Sequence, residues 1–170
     1  MASCQDLNLT LGPMPATLRP AFAADAARIA QILIDVRSAF MPYAPLAHSA
    51  DEVRSWVAGS LVPSGGTVIA ELDGAIVGVM TTEREVACSW ITQMAVDPLH
   101  VGIGIGSVLL QHAFHACPLP IRLFTFQANS GARRFYERHG FQPVRLSDGR
   151  ANEERCPDVL YEFTALPAAG

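Results

Sequence analysis

Lysine is absent from this 170-residue chain, and all twelve of its basic residues are arginines. A nucleotide-binding loop built on a Gly-Lys pair is therefore excluded. Any phosphate must be held by Arg side chains or backbone N–H groups. Charge of either sign is scarce, at 16% of residues with a formal net charge of −4. That balance, without a basic stripe, argues against a nucleic-acid partner and against wholesale disorder. No apolar run approaches the ~20 residues of a membrane span. The first residues lack the basic-then-apolar pattern of a secretory signal, so a cytoplasmic protein without a membrane partner is expected. The four cysteines, Cys4, Cys88, Cys117 and Cys156, show no Cys-x-x-Cys or zinc-finger spacing and read as reduced thiols. His112 and His115 lie three apart with no accompanying carboxylate pattern, so no metal site is expected.

What is present is apolar residue, half of the chain. A domain of this size buries roughly 70% of its unfolded surface and needs no covalent staple. Residues 1–14 read as a loose arm and 15–165 as one domain. Ala16–Pro20 is a candidate first strand. Asp25 is a candidate cap for a helix carrying Ile29, Ile32, Leu33 and Val36. Pro42 and Pro45 stop that helix in an aromatic loop, Phe40–Ser49. Ser49 and Glu52 then form a capping box for a second helix. Asp73-Gly74 joins strands Thr67–Leu72 and Ala75–Thr82 in a hairpin. Strand Val86–Val96 and a buried helix, Gly104–Ala116, come next. Strand Ile121–Phe126, helix Ser130–His139 and strands Gln142–Leu146 and Val159–Phe163 complete an α/β order, a central sheet with helices on both faces.

The sharpest local feature is Asp97-Pro98-Leu99-His100-Val101-Gly102-Ile103-Gly104-Ile105-Gly106-Ser107, where a strand gives way to a helix through alternating glycines. Glycines let a backbone approach a ligand closely. A helix's first turn offers unpaired N–H groups and the positive end of its dipole. Together they form an anion site suited to a pyrophosphate. Tight strand–helix packing is the competing explanation of the glycines. A dinucleotide fingerprint fails because Ser107 occupies its final glycine position.

The following helix carries Asn129-Ser130-Gly131-Ala132-Arg133-Arg134-Phe135-Tyr136-Glu137-Arg138-His139-Gly140-Phe141. Taken alone, Tyr136 reads as a core tyrosine and Asn129 as a helix cap. Taken together, Val96–Leu110 and Asn129–Phe141 closely resemble the two signature regions of the GNAT N-acetyltransferases. Their pattern is a strand ending in V-x-P, then Q/R-x-x-G-x-G/A, then N-x-x-A-x-x-F-Y-x-x-x-G-F. A looser likeness extends over residues 16–163.

The resemblance implies a mixed, mostly antiparallel sheet of six to seven strands, splayed between the fourth and fifth, with about four helices on both faces. It implies acetyl-coenzyme A as acyl donor, held by Met94, Ala95, Val96, Val101, Gly102, Ile103, Gly104, Ile105, Gly106, Ser107, Asn129, Arg133 and Tyr136. It implies direct attack by a primary amine of a small molecule or peptide, with Tyr136 as general acid. A phenol near ~10 can protonate a thiolate whose conjugate acid lies near ~8.5. Val101 departs from the pattern, since it stands where the family has Gln or Arg. Weaker cofactor binding is expected, with His100 as a neighbouring aid.

For the general base, Glu83, Glu85, His48 and a water chain all stay open. Phe40, Tyr43, His48 and Trp90 are candidate acceptor contacts. Glu153, Glu154 and Asp158 read as a solvated charged loop, or else as an attraction for a cationic amine. A catalytically idle module that binds acyl-coenzyme A is the rival function. A homodimer is common among such proteins, but no feature here sets its symmetry.

Overall fold

The computed structural model describes residues 16–165, so the expected N-terminal arm, 1–14, lies outside the described residues. Strand β1 (Thr17–Pro20) is followed by α1 (Ala26–Phe40) and α2 (Ala50–Trp56), which runs on through a wider turn over Val57–Leu61. The hairpin β2 (Thr67–Leu72) and β3 (Ala75–Arg84), then β4 (Ser89–Val96), lead to α3 (Ile105–Ala116). Strand β5 (Ile121–Phe126), α4 (Ser130–Arg138), β6 (Gln142–Ser147) and β7 (Asp158–Phe163) complete the order.

The seven strands form one sheet in the order β1-β2-β3-β4-β5-β7-β6. Every neighbouring pair is antiparallel except β4–β5, which is parallel. That parallel pair is joined only at Ser89–Ile121 and Trp90–Arg122. Beyond it the strands separate, and β4 keeps its register with β3 alone as far as Val96. The splay expected between the fourth and fifth strands is thus present.

Each sheet face has its own core. On one, α1 and the α2 extension bury Ile29, Ile32, Val57 and Leu61 against Ile69, Val79 and Ala95. On the other, α3 and α4 bury Leu109, Leu110 and Tyr136 with Ile121, Leu123, Phe141 and Tyr161. Helix α3 is not enclosed all round as its composition suggested, because Gln111 and His115 are exposed. The capping box of α2 forms as expected: Glu52 N–H donates to Ser49 Oγ at 3.3 Å, and Ser49 N–H to Glu52 at 2.7 Å.

Two local expectations change. Asp25 does not cap α1 with its side chain. Its carboxylate instead accepts from the Arg19 guanidinium and, at 2.7 Å, from the Phe22 N–H. Arg19 also holds Glu71, so the pair ties β1, β2 and the start of α1 together. Strand β4 begins at Ser89 rather than Val86, because Glu85 N–H closes a turn onto the Cys88 carbonyl and leaves Val86 fully exposed.

Candidate active site

The glycine turn begins where β4 ends. Asp97 is buried and anchors that end. Its carboxylate accepts from Leu99 N–H at 3.0 Å and from the Arg28 guanidinium of α1, while Arg28 Nε donates to the Ile76 carbonyl. The Leu99 N–H, seconded by Arg28, holds the Asp97 carboxyl below its usual range. A short 3-10 turn, Pro98–His100, then carries the chain into extended Val101.

Gly102 and Gly104 take φ of +85° and +95°, the left-handed region in which a side chain is strained. Gly104 is the N-cap of α3. An added Cβ at either position would meet nothing within 4 Å. These two glycines therefore serve the backbone's path over an open surface, not packing. Gly106 differs: an added Cβ would stand 3.0 Å from the Phe135 ring of α4 and 3.5 Å from Met94 of β4. Its missing side chain lets α3, α4 and β4 come together. Packing thus accounts for Gly106 and leaves Gly102 and Gly104 as positions of an open, left-handed backbone.

Among the described residues, the N–H groups of Val101–Ser107 have no acceptor within the protein; Val108 N–H is the first to bond back, onto the Gly104 carbonyl. Unpaired donors at the positive end of a twelve-residue helix make an anion cradle. Ser107 adds a hydroxyl that lies 2.9 Å from His139 Nε2. His139 Nδ1 stands 2.8 Å from the Phe135 carbonyl, which can only accept. In the neutral ring Nε2 is therefore the acceptor and Ser107 the donor. This pair joins α3 to α4 beside the cradle.

Helix α4 uses several of its candidates structurally. Asn129 caps it, accepting from Ala132 N–H at 3.1 Å. Arg133 Nε donates to the Tyr161 hydroxyl at 3.2 Å, and that hydroxyl donates to Glu137 at 2.6 Å. Tyr161, a residue the sequence reading did not single out, links α4 to β7 through this chain. Only its place on the apolar side of β7, with Val159 and Phe163, was visible beforehand. Tyr136 is buried among Phe135, Phe141 and Tyr161, and its hydroxyl has no hydrogen-bond partner among the described residues. Burial pushes its pKa up to about 12. It therefore stays protonated across the neutral range, but is a weaker acid than an ordinary phenol.

The opposite face of the splayed strands carries a second feature. Trp90 stacks on Phe124 with centroids 5.6 Å apart, and its indole N–H is buried without a partner among the described residues. Farther along β5, Tyr43 meets Phe126 edge-on, and the Arg37 guanidinium lies over the same ring. Arg37 also pairs with Glu154 at 3.1 Å, and His48 with Glu153 at 2.9 Å. The Glu153 carboxylate raises the pKa of exposed His48. The loops 41–49 and 148–157 are thereby brought together over β5. Phe40 is partly exposed at the end of α1 and joins neither contact.

A cavity of about 340 Å³ opens here, bounded by β5, β6, β7 and the 148–157 loop. Asp158 lines it and is buried rather than solvated, which corrects the reading of that loop as wholly exposed. Among the described residues, no group of three or more His, Cys, Asp or Glu side chains could hold a metal. No helix among them is long and apolar enough to cross a membrane.

Known proteins share this fold. Residues 32–141 match the family model of the acetyltransferase (GNAT) family. No curated protein matches the chain. Among solved structures, the PaiA N-acetyltransferase of Thermoplasma acidophilum in complex with coenzyme A is 16% identical, with a TM-score of 0.72 over 89% of this chain and 100% of that one. Naa50 of Arabidopsis thaliana, in complex with the bisubstrate analogue CoA-Ac-MVNAL, is 18% identical, with a TM-score of 0.67 over 89% and 100%. A GNAT-family acetyltransferase of Bacillus cereus is 20% identical, with a TM-score of 0.70 over 89% and 99%. At these identities the likeness is one of fold.

Proposed function

Because the chain belongs to the GNAT acetyltransferase family, we propose that it transfers the acetyl group of acetyl-coenzyme A to a primary amine, by direct attack in a ternary complex. The observation that carries this reading is the pairing of β4 with β5 at two positions only, beside a row of unpaired N–H groups at Val101–Ser107. One gap and one anion cradle, adjacent on the same strand end, suit a long ligand with a pyrophosphate in its middle.

In this reading the N–H groups of Gly102–Ser107 hold the pyrophosphate, while the Ser107 hydroxyl stays on His139. The free edge of β4 at Met94, Ala95 and Val96 bonds the amide-bearing arm. Exposed Ile103 flanks the cradle, Ile105 roots it in the core, and Arg133, whose Nε and Nη1 donate to Tyr161 and the Gln127 carbonyl, keeps Nη2 for the bound arm. Acetyl-coenzyme A supplies the activated acyl group. Tyr136 donates its hydroxyl proton toward the departing sulfur. Burial makes that transfer harder than for an ordinary phenol, so its contribution lies chiefly in a hydrogen bond that strengthens as charge develops on the sulfur. No carboxylate lies on β4, and Glu83, Glu85, His48 and a water chain remain the routes for the amine's proton. The protein would then work in the cytoplasm, on a small-molecule or peptide amine and without a metal.

The reading is tested by following thiol release from acetyl-coenzyme A across a panel of small amines and peptides with free N-termini. Release that depends on the amine, with intersecting initial-velocity lines, is expected. Tight coenzyme A binding with no release from any amine would instead establish the idle binding module.

A further inference from the structure

We infer that the cavity beside β5 binds the acceptor, and that it takes a small amphipathic primary amine whose ammonium group is received by Asp158. The inference rests on the acetyl-transfer reading and deepens it by naming the acceptor's class. Four observations carry it.

The cavity borders the gap. Phe124 and Phe126 lie on the part of β5 that has lost its pairing with β4. An acceptor seated there is adjacent to the opening into which the acyl group must project.

The charge pattern is selective. Asp158 pairs in register with Phe126 of β5 and Ser147 of β6, so the three share one sheet face. The residue is buried, at 9% exposure. Its Oδ1 is buried and has no donor among the described residues. Leaving a carboxylate oxygen buried and unpaired is costly, and such a group in a cleft points to a ligand.

The carboxylate is also held in place. Asn152 Nδ2 donates to Asp158 Oδ2 at 2.8 Å and to the Cys156 carbonyl, while Asn152 Oδ1 accepts from Cys156 N–H. One side of Asp158 is thus fixed by its own loop and the other is left for a donor.

The remaining lining narrows the class. Glu154 is neutralised by Arg37. Arg145, exposed on β6 and without a carboxylate partner among the described residues, repels a second cation from the same cavity. Phe124 and Phe126 offer ring surface. A single ammonium on an apolar body fits this lining; a polyamine does not.

Calorimetric titration of the full chain with coenzyme A present tests the proposal, using 2-phenylethylamine, its neutral counterpart 2-phenylethanol, 3-phenylpropionate and spermidine. The amine is expected to bind at least about tenfold tighter than the alcohol, as a charge-assisted bond implies. It should also outbind the acid and the polyamine. Asp158→Asn should lose that advantage by a similar factor, while Asp148→Asn, on an exposed stretch of the same loop, should not. Equal binding of amine and alcohol, tighter binding of spermidine, or no binding by any of the four overturns the inference. So does an Asp158→Asn variant that binds the amine like wild type. If that variant does not fold, the amine–alcohol comparison on the wild-type chain still decides. Binding without thiol release would sink the catalytic reading alone; acetyl transfer to other amines without binding here would sink this inference alone.

Discussion

The two faces of the split sheet are built from different materials. On the side of α3 and α4, the groups offered to a ligand are backbone: the N–H groups of Val101–Ser107 and the free edge of β4. On the side of α1, they are side chains gathered from distant stretches, Phe124 and Phe126 from β5, Arg145 from β6 and Asp158 from β7. A backbone cradle suits a ligand that does not change between members of a family. A side-chain cavity can be respecified by single substitutions while the sheet stays as it is.

Tyr136→Phe should break the comparison most sharply, because Tyr136 lies on the α3 and α4 side yet contributes a side chain rather than backbone. Turnover should fall about 100-fold, the low end of what a positioned proton donor contributes. Coenzyme A affinity, read by calorimetry, should not change. Unchanged turnover removes Tyr136 from the chemistry.

Gly104→Val attacks the backbone side alone. A branched side chain at φ +95° costs about 1–2 kcal/mol or forces the turn to move. Coenzyme A should then bind roughly tenfold more weakly, with amine binding in the β5 cavity retained. Equal loss of both ligands would show that the two surfaces are not separable.

Asp97→Asn probes the anchor beneath the cradle. The folded-state pKa of Asp97 is lowered. Its contribution is therefore present above the ordinary carboxylate range and is lost as pH falls through the folded value. Urea unfolding at neutral pH should show the variant about 1 kcal/mol less stable, a figure kept small because Arg28 is partly exposed. The gap should close on acidification, as the pH falls below the ordinary carboxylate range and through the lowered folded-state value of Asp97. A gap independent of pH would mean that shape, not charge, holds the end of β4.

The smallest effect is a gain. Val101→Arg restores a side-chain donor at an exposed position, and coenzyme A should bind about two- to fivefold tighter. No gain would show that the backbone groups already saturate the phosphate.

The same contrast governs what could be read from the sequence. The succession of strands and helices along the chain, the Ser49–Glu52 box and the glycine turn were legible, because propensity, caps and positive φ act over a few neighbouring residues. The competing uses of Gly104 and Gly106 were not separable, since only the Phe135 ring over Gly106 distinguishes them. Asp25 looked like a cap until Arg19 and Glu71, 52 residues apart, were seen to claim the same cluster. Asp158 looked solvated because it follows a polar loop, and its burial depends on the register of β7 between β5 and β6. Arg145 and Phe124 carried no local signal, for the same reason.

The most direct test of the division is a backbone amide NMR titration with coenzyme A. The account predicts large shifts at Gly102–Ser107 and Met94–Val96, with the amides of Arg145 and Asp158 nearly still. Shifts centred on β6 and β7, with Gly102–Ser107 unmoved, would contradict it.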